Sequence, residues 1–197
     1  MPPNVLSKMF DFSFLCDVHF VVKGETIGAH LVIVASASPV MATMFEPGKF
    51  KEGSDKTAHI NYTEPEVFRQ MLRYLYVGIV VGMNELCLPL LEAADCYQID
   101  SLKTECEKYL GSKMNDKNLV RVLRMAHKCS ASKLLGDSFG YLIRHKEEIV
   151  HLPEWKQFID EDPELFFTVT QRMCSNTTAS KLVQPVIIPA IGDKRNK

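Results

Sequence analysis

Cysteine and histidine are the residue types in this chain whose spacing could support chemistry. Six cysteines, Cys16, Cys87, Cys96, Cys106, Cys129 and Cys174, are scattered along 197 residues with no CxxC pair. A thiolate or imidazole metal site is built from closely spaced ligand pairs. His127 and Cys129 make one such pair, but no second pair with zinc-like spacing accompanies them, so no metal is expected. The same scatter, without a secretory leader, argues against a disulfide framework and makes small core residues the expected role of most of the six. Whether one of them senses electrophiles or redox state depends on exposure and neighbouring charge, which a sequence does not display. His30 is the candidate general base; its neighbours are apolar on both sides and no nucleophile lies near it, so a buried, hydrogen-bonded histidine is the expectation. There is no GxSxG elbow, phosphate-cradling glycine loop or HExxH, and Gly24, Gly28, Gly48 and Gly53 fall at unrelated spacings, as turn glycines do. The chain is expected not to be an enzyme and to need no cofactor, which leaves binding as its chemistry.

The elements that would carry a binding surface are densest from Cys16 to Phe45. Val18, Phe20 and Val22 alternate with His19 and Val21, Lys23-Gly24-Glu25 supplies a turn, and Thr26-Ile27-Gly28 starts a return strand, which together predict a β-hairpin. Past Ala29-His30 a compact apolar run, Leu31 to Ala35, ends at Ser38-Pro39. There Ser38 can cap a second helix whose first turn accepts Pro39. Val40, Met41, Met44 and Phe45 then fall at helical spacing.

Before this stretch, Val5 to Phe10 predicts a short helical lead-in. Only fifteen residues precede Cys16, which limits any exchange of N-terminal segments between subunits. After it, residues 56–61 predict one more strand, and Thr63 with Glu66 reads as a capping box. Val67, Phe68, Met71, Leu72, Leu75 and Tyr76 form one apolar stripe, expected to be core. Gly78 and Gly82 mark a turn and Asn84 a helix cap. Pro89 predicts either a kink or a helix that starts nearer Leu88. Ile99, Leu102, Cys106 and Leu110 make another stripe, ended by Gly111. From residue 113 the pattern is helical throughout: Leu119, Val120, Leu123 and Ala126 line one helix, and Ser130 is the expected cap of the next. The spacing of Gly136 and Gly140 predicts a close helix contact that offsets their cost. Asp162-Pro163 predicts a last helix through about Met173. Beyond it the polar, proline-interrupted residues 174–197 read as a disordered tail, with Val186-Ile187-Ile188 and Lys194-Arg195 as its strand-adding and import-like patterns.

Asp17 before a strand, Ala29-His30, Ser38-Pro39 and Met44-Phe45, in this order, resemble the opening of a BTB (POZ) domain. Residues 48–54, Glu64-Pro65-Glu66-Val67-Phe68 and Tyr74 to Gly78 extend the likeness. The pattern Ala126 to Ala131 followed by Glu154-Trp155-Lys156 is similar to the 3-box and BACK-like helices of the speckle-type POZ adaptors, so that the resemblance covers residues 14 to 173. It implies an α+β fold, a short sheet with about five helices over residues 14–112, followed by an all-helical 3-box/BACK-like region over 113–173. It further implies a homodimer formed through the first helices, with Asp17, His30 and Leu31 at the dimer interface or pocket. A second surface would dock the cullin-3 N-terminal domain through a loop of pattern hydrophobic-any-glutamate, matched here by Phe50, Lys51 and Glu52. An exposed phenylalanine can enter a pocket between partner helices while the glutamate fixes orientation. Leu31 and Ala37 depart from the family, which places basic residues there. A charged pocket with Asp17 and co-repressor docking of the zinc-finger kind are therefore not expected, and the dimer groove should be more apolar.

Composition agrees and excludes other classes. With 46% hydrophobic and 24% charged residues the chain has an ordinary globular balance. A net charge of −1 gives no overall attraction to nucleic acid or anionic membranes, and no stretch has the length of a membrane span. A soluble, intracellular protein of the cytoplasm and/or nucleus is expected. No kelch, MATH, ankyrin or zinc-finger region is present to recognise a substrate. The resemblance therefore implies a cullin-3 ligase adaptor for an unknown protein substrate, or alternatively an oligomerisation scaffold for transcriptional or cytoskeletal assembly without cullin binding.

Overall fold

In a computed structural model that describes the backbone of residues 5–181 and side chains to 172, the alternating stretch after Cys16 forms the expected hairpin. Helix α1 (Val5–Asp11) leads into β1 (Val18–Val22) and β2 (Glu25–Ala29). Lys23 and Gly24 both have positive φ, 47° and 90°, as a two-residue turn matched to strand twist requires. Strand β1 is central: it pairs antiparallel with β2 and parallel with β3 (Thr57–Ile60), in the order β2-β1-β3. Val18, Phe20 and Val22 are fully buried beside Ala29, Ile27, Ala58 and Ile60, while His19 and His59 face outward.

Between β2 and β3 the chain forms α2 (Leu31–Ala37), α3 (Pro39–Met44) and α4 (Lys51–Asp55). Ser38 caps α3 as expected, its Oγ accepting from the Met41 N–H at 3.1 Å while Pro39 occupies the first turn. The same hydroxyl, fully buried, donates to the Tyr97 carbonyl at 2.6 Å. Helices α5 (Pro65–Val77), α6 (Met83–Cys96) and α7 (Asp100–Ser112) complete the layer over the sheet. Phe20 meets Phe45 and Phe68 with ring centroids 5.5 and 4.9 Å apart, and Phe68 meets Tyr97 at 5.7 Å, which builds the centre of the core from β1, α5 and the residues that end α3 and α6.

Several expected helix ends differ. The capping box at Thr63 and Glu66 does not form, because Pro65 takes the first helical position and makes Glu64 the cap residue, with no side-chain cap bond. Glu66 instead accepts from the Gln70 amide. Gly82, at φ 76°, rather than Asn84 starts α6, and Pro89 lies inside that helix instead of delaying its start to Leu88. Gly111 lies within α7 rather than ending it.

Helices α8 (Leu119–Lys128) and α9 (Ser132–Arg144) follow, with Ala131 rather than Ser130 as the cap of α9. A Cβ at Gly136 would meet nothing within 4 Å, and one at Gly140 only the Arg144 guanidinium, so the expected close helix contact is absent there. The chain divides into two compact units, one to His145 and one from Lys146. Val122, Ala126, Cys129, Ala131 and Leu134 belong to the same buried cluster as the sheet, so α8 and α9, read from sequence as an extension, share the core of the first unit.

The second unit holds α10 (Lys146–Ile149), α11 (Pro153–Glu161) and α12 (Pro163–Lys181). Trp155, Phe158 and Phe166 contact one another edge-on with centroids 5.4–5.6 Å apart. Asp162 starts α12 as expected, its carboxylate accepting from the Leu165 N–H at 3.2 Å, and the helix continues past Met173 to Lys181. The side chain of Cys174 and the patterns at Val186-Ile187-Ile188 and Lys194-Arg195 lie outside the described residues.

Candidate functional site

The hydrophobic-any-glutamate triplet sits where α3 turns into α4. Leaving α3, the chain folds tightly on itself: the Glu46 N–H reaches the Thr43 carbonyl at 3.3 Å and the Lys49 N–H reaches the Glu46 carbonyl at 3.3 Å. Phe50, in extended conformation, precedes α4 and is 49% exposed. Gly53 makes this packing possible, since a Cβ there would lie 2.4 Å from the Glu46 carbonyl oxygen. Phe50 and Glu52 line one side of a groove of ≈ 450 Å³ whose other side is Pro39, Val40, Thr43, Met44 and Gln98. Lys51 is exposed, its ammonium 3.8 Å from Asp55. The hydrogen bond from Ser38 to the Tyr97 carbonyl holds the α3 wall beside Gln98.

Sequence reasoning found Phe50 and Glu52 but not these walls. Val40, Met41, Met44 and Phe45 fall at helical spacing, which does not separate their roles; in the fold Met41 and Phe45 are buried, while Val40 and Met44 are only partly covered and face the groove. The available signal was two i, i+4 pairs offset by one residue, which places apolar side chains on two adjoining helix faces.

Asp17, His30 and Leu31 are brought together at the start of α2. The Asp17 carboxylate accepts from the Leu31 N–H at 2.7 Å, which satisfies one of the orphan donors of that helix. His30 is buried and hydrogen-bonded, as expected of it. Its Nε2 lies 2.7 Å from the Phe14 carbonyl, which can only accept, so Nε2 carries the proton and Nδ1 accepts from the Tyr76 hydroxyl at 2.7 Å. The same hydroxyl accepts from the His30 N–H at 2.9 Å. Burial pushes the Tyr76 phenol up to about 12, with the Cys16 and Asp17 side chains adding to the rise. The role of Tyr76 was missed, although a buried tyrosine hydroxyl calls for a polar partner. Leu31 is half-buried, and Val32, Phe14, Leu15 and Phe12 expose apolar side chains at 72%, 65%, 76% and 77% around the same junction.

Cys87, Cys106 and Cys129 are buried core residues. The Cys87 side chain and burial push the Cys106 thiol up, and burial raises Cys129 to about 11, so both stay protonated and weakly nucleophilic near neutrality. Cys96 is exposed, its thiol 3.5 Å from the Tyr62 hydroxyl. Among the described residues no group of three His, Cys, Asp or Glu side chains could hold a metal ion, and no helix is long and apolar enough to cross a membrane.

Residues 6–114 match the family model of the BTB/POZ domain. Protein maternal effect lethal 26 of Caenorhabditis elegans is 29% identical over 192 residues, which cover 93% of this chain and 49% of that protein. TD and POZ domain-containing protein 1 of Mus musculus is 29% identical over 172 residues, 86% of this chain and 47% of that one. The chain thus spans about half the length of these curated relatives. The BTB domain of zebrafish PATZ1 superimposes with a TM-score of 0.47 at 25% identity, over 56% of this chain and 88% of that one.

Proposed function

Because the chain belongs to the BTB/POZ domain family, a family of protein–protein interaction modules, we propose that it is a non-enzymatic, homodimeric adaptor that docks the cullin-3 N-terminal domain of a ubiquitin ligase and presents a protein substrate to it in the cytoplasm or nucleus. The observation that carries this reading is the placement of Phe50. A phenylalanine half in solvent, on a loop pinned by Gly53 and beside a groove with Glu52 on its rim, has the form of an interface anchor waiting for a pocket. The exposed apolar side chains of Phe12, Phe14, Leu15 and Val32 supply the second contact, since several large apolar side chains exposed near the start of one helix call for cover by a partner, here a second copy. With Leu31 in place of a basic residue, and Asp17 engaged by the α2 backbone, that contact rests on apolar burial rather than on a charged pocket.

Calorimetric titration against the purified cullin-3 N-terminal domain, with the mass of the complex measured in parallel, tests the reading. Saturable binding at one cullin per subunit of a dimer is expected. A folded dimer that shows no heat and no added mass at high concentration removes the ligase role and leaves an oligomerisation module.

A further inference from the structure

A second groove, of ≈ 360 Å³, lies between α6 and α8 and shares no residue with the Phe50 groove. Leu88, Pro89 and Met125 are its apolar lining; Arg121, Arg124 and Lys128 come from α8 and Glu92 from α6. The three cations follow one another at i, i+3 and i+7, so they share one face of α8 and, at ~1.5 Å per residue, extend over roughly 10 Å. The wall is fixed from below: Lys103 donates to the Asp95 carboxylate and to the Cys129 carbonyl, both at 2.6 Å, which ties the ends of α6 and α8 to α7. Cations along a helix usually make a solvated face. These instead flank a concave apolar strip, on a chain whose net charge is −1.

We propose that this groove docks an acidic protein segment, with one apolar side chain on Leu88, Pro89 and Met125 and carboxylates on either side of it meeting the exposed Arg121 and Lys128. Charge complementarity selects this occupant. Lys194, Arg195 and Lys197 against the single acidic side chain Asp193 give the chain's own C-terminal residues the wrong sign. A nucleic-acid backbone would meet Glu92 and, across the Pro89 ridge, Glu64 and Glu66 of the adjoining groove. The same three carboxylates orient the segment, because its own carboxylates are repelled from the α6 side and drawn to α8. Lys128, 2.6 Å from Glu92, exchanges a solvent-exposed partner for one brought by the ligand.

The probe is a displayed library of random peptides selected on the whole chain, followed by anisotropy titration of the enriched sequences. Selected peptides should carry carboxylates around one apolar residue, lose affinity roughly tenfold or more on Arg121→Glu and on raising salt, and lose several-fold on Lys128→Gln. Arg121 is exposed, so the melting temperature of its variant should match the parent. Cullin titration should also be unchanged, which separates this inference from the adaptor reading. Peptides without acidic enrichment, affinity indifferent to Arg121→Glu, or displacement of the peptides by a single-stranded oligonucleotide would each overturn it.

Discussion

Replacing Gly53 with alanine tests whether the docking loop is held by backbone packing. The new Cβ would lie 2.4 Å from the Glu46 carbonyl oxygen, 3.0 Å from its carbon and 3.3 Å from the Phe45 carbonyl oxygen. Favourable contacts between heavy atoms lie near ~3.5 Å, so loop and helix must part by about 1 Å. The obstacle is main chain rather than a flexible side-chain end, which puts the overpacking cost in the upper part of its usual range, about 2–3 kcal/mol. Because α4 has five residues, the strain relaxes by moving Phe50 and Glu52, which line the groove. Urea unfolding should show the lost stability, and titration against the cullin-3 N-terminal domain should weaken alongside it. Gly48→Ala is the control: at φ 77° with open space around it, it carries only the left-handed penalty of roughly 1–2 kcal/mol and nothing pushes on the groove. If Gly53→Ala unfolds within ~0.5 kcal/mol of the parent, the range of an ordinary surface substitution, the packing argument is wrong.

Tyr76→Phe leaves the buried His30 N–H and Nδ1 without their shared partner; at about 1–3 kcal/mol per orphaned group, a loss of at least ~2 kcal/mol is expected by denaturant unfolding, and an unchanged midpoint would contradict the assigned network. Gly136→Ala should stabilise by about 0.5–1 kcal/mol, since the added Cβ meets nothing within 4 Å in the middle of α9, and calorimetric melting checks it. Tyr76 and Tyr97, each pushed up to about 12 by burial from a usual 10, keep their protons longer in the fold than in the unfolded chain. Their contribution to stability is therefore complete below pH 10 and lost as pH rises towards 12, and a tyrosinate absorbance titration should show a late-titrating fraction that merges with unfolding. A single step near 10 for all six tyrosines would refute it.

What could be read from sequence was what local chemistry decides strongly. Lys23-Gly24 between alternating strands specifies one hairpin, and Ser38-Pro39 and Asp162-Pro163 specify helix starts because cap and proline agree. Thr63, Asn84 and Ser130 failed as caps since each competed with a neighbour that fixes the backbone more firmly: Pro65, the left-handed Gly82, and the turn into Ala131. Pro89 leaves a kink and a helix start nearer Leu88 as alternatives, because a single sequence does not show how far tertiary packing supports α6 across the missing N–H. For the site, loop residues with a motif, Phe50 and Glu52, were visible. The opposite wall was not, because Gln98 comes from the α6–α7 turn and reaches Val40 and Met44 only through the fold. The α6–α8 groove was equally hidden: its basic residues share one face of α8, but the α6 wall they meet is separated from them in sequence by the whole of α7.

The central claim, that Phe50 anchors a partner, is tested most directly by comparing the parent and Phe50→Ala in calorimetric titration with the cullin-3 N-terminal domain. Phe50 keeps 49% of its surface in solvent, so about 100 Å² of a ~200 Å² aromatic side chain remains to be buried, worth roughly 2.5 kcal/mol at ~25 cal/mol per Å². The account predicts affinity weakened on the order of 50-fold or more, at an unchanged melting temperature. Binding by the variant within about twofold of the parent, well under 1 kcal/mol, would contradict it.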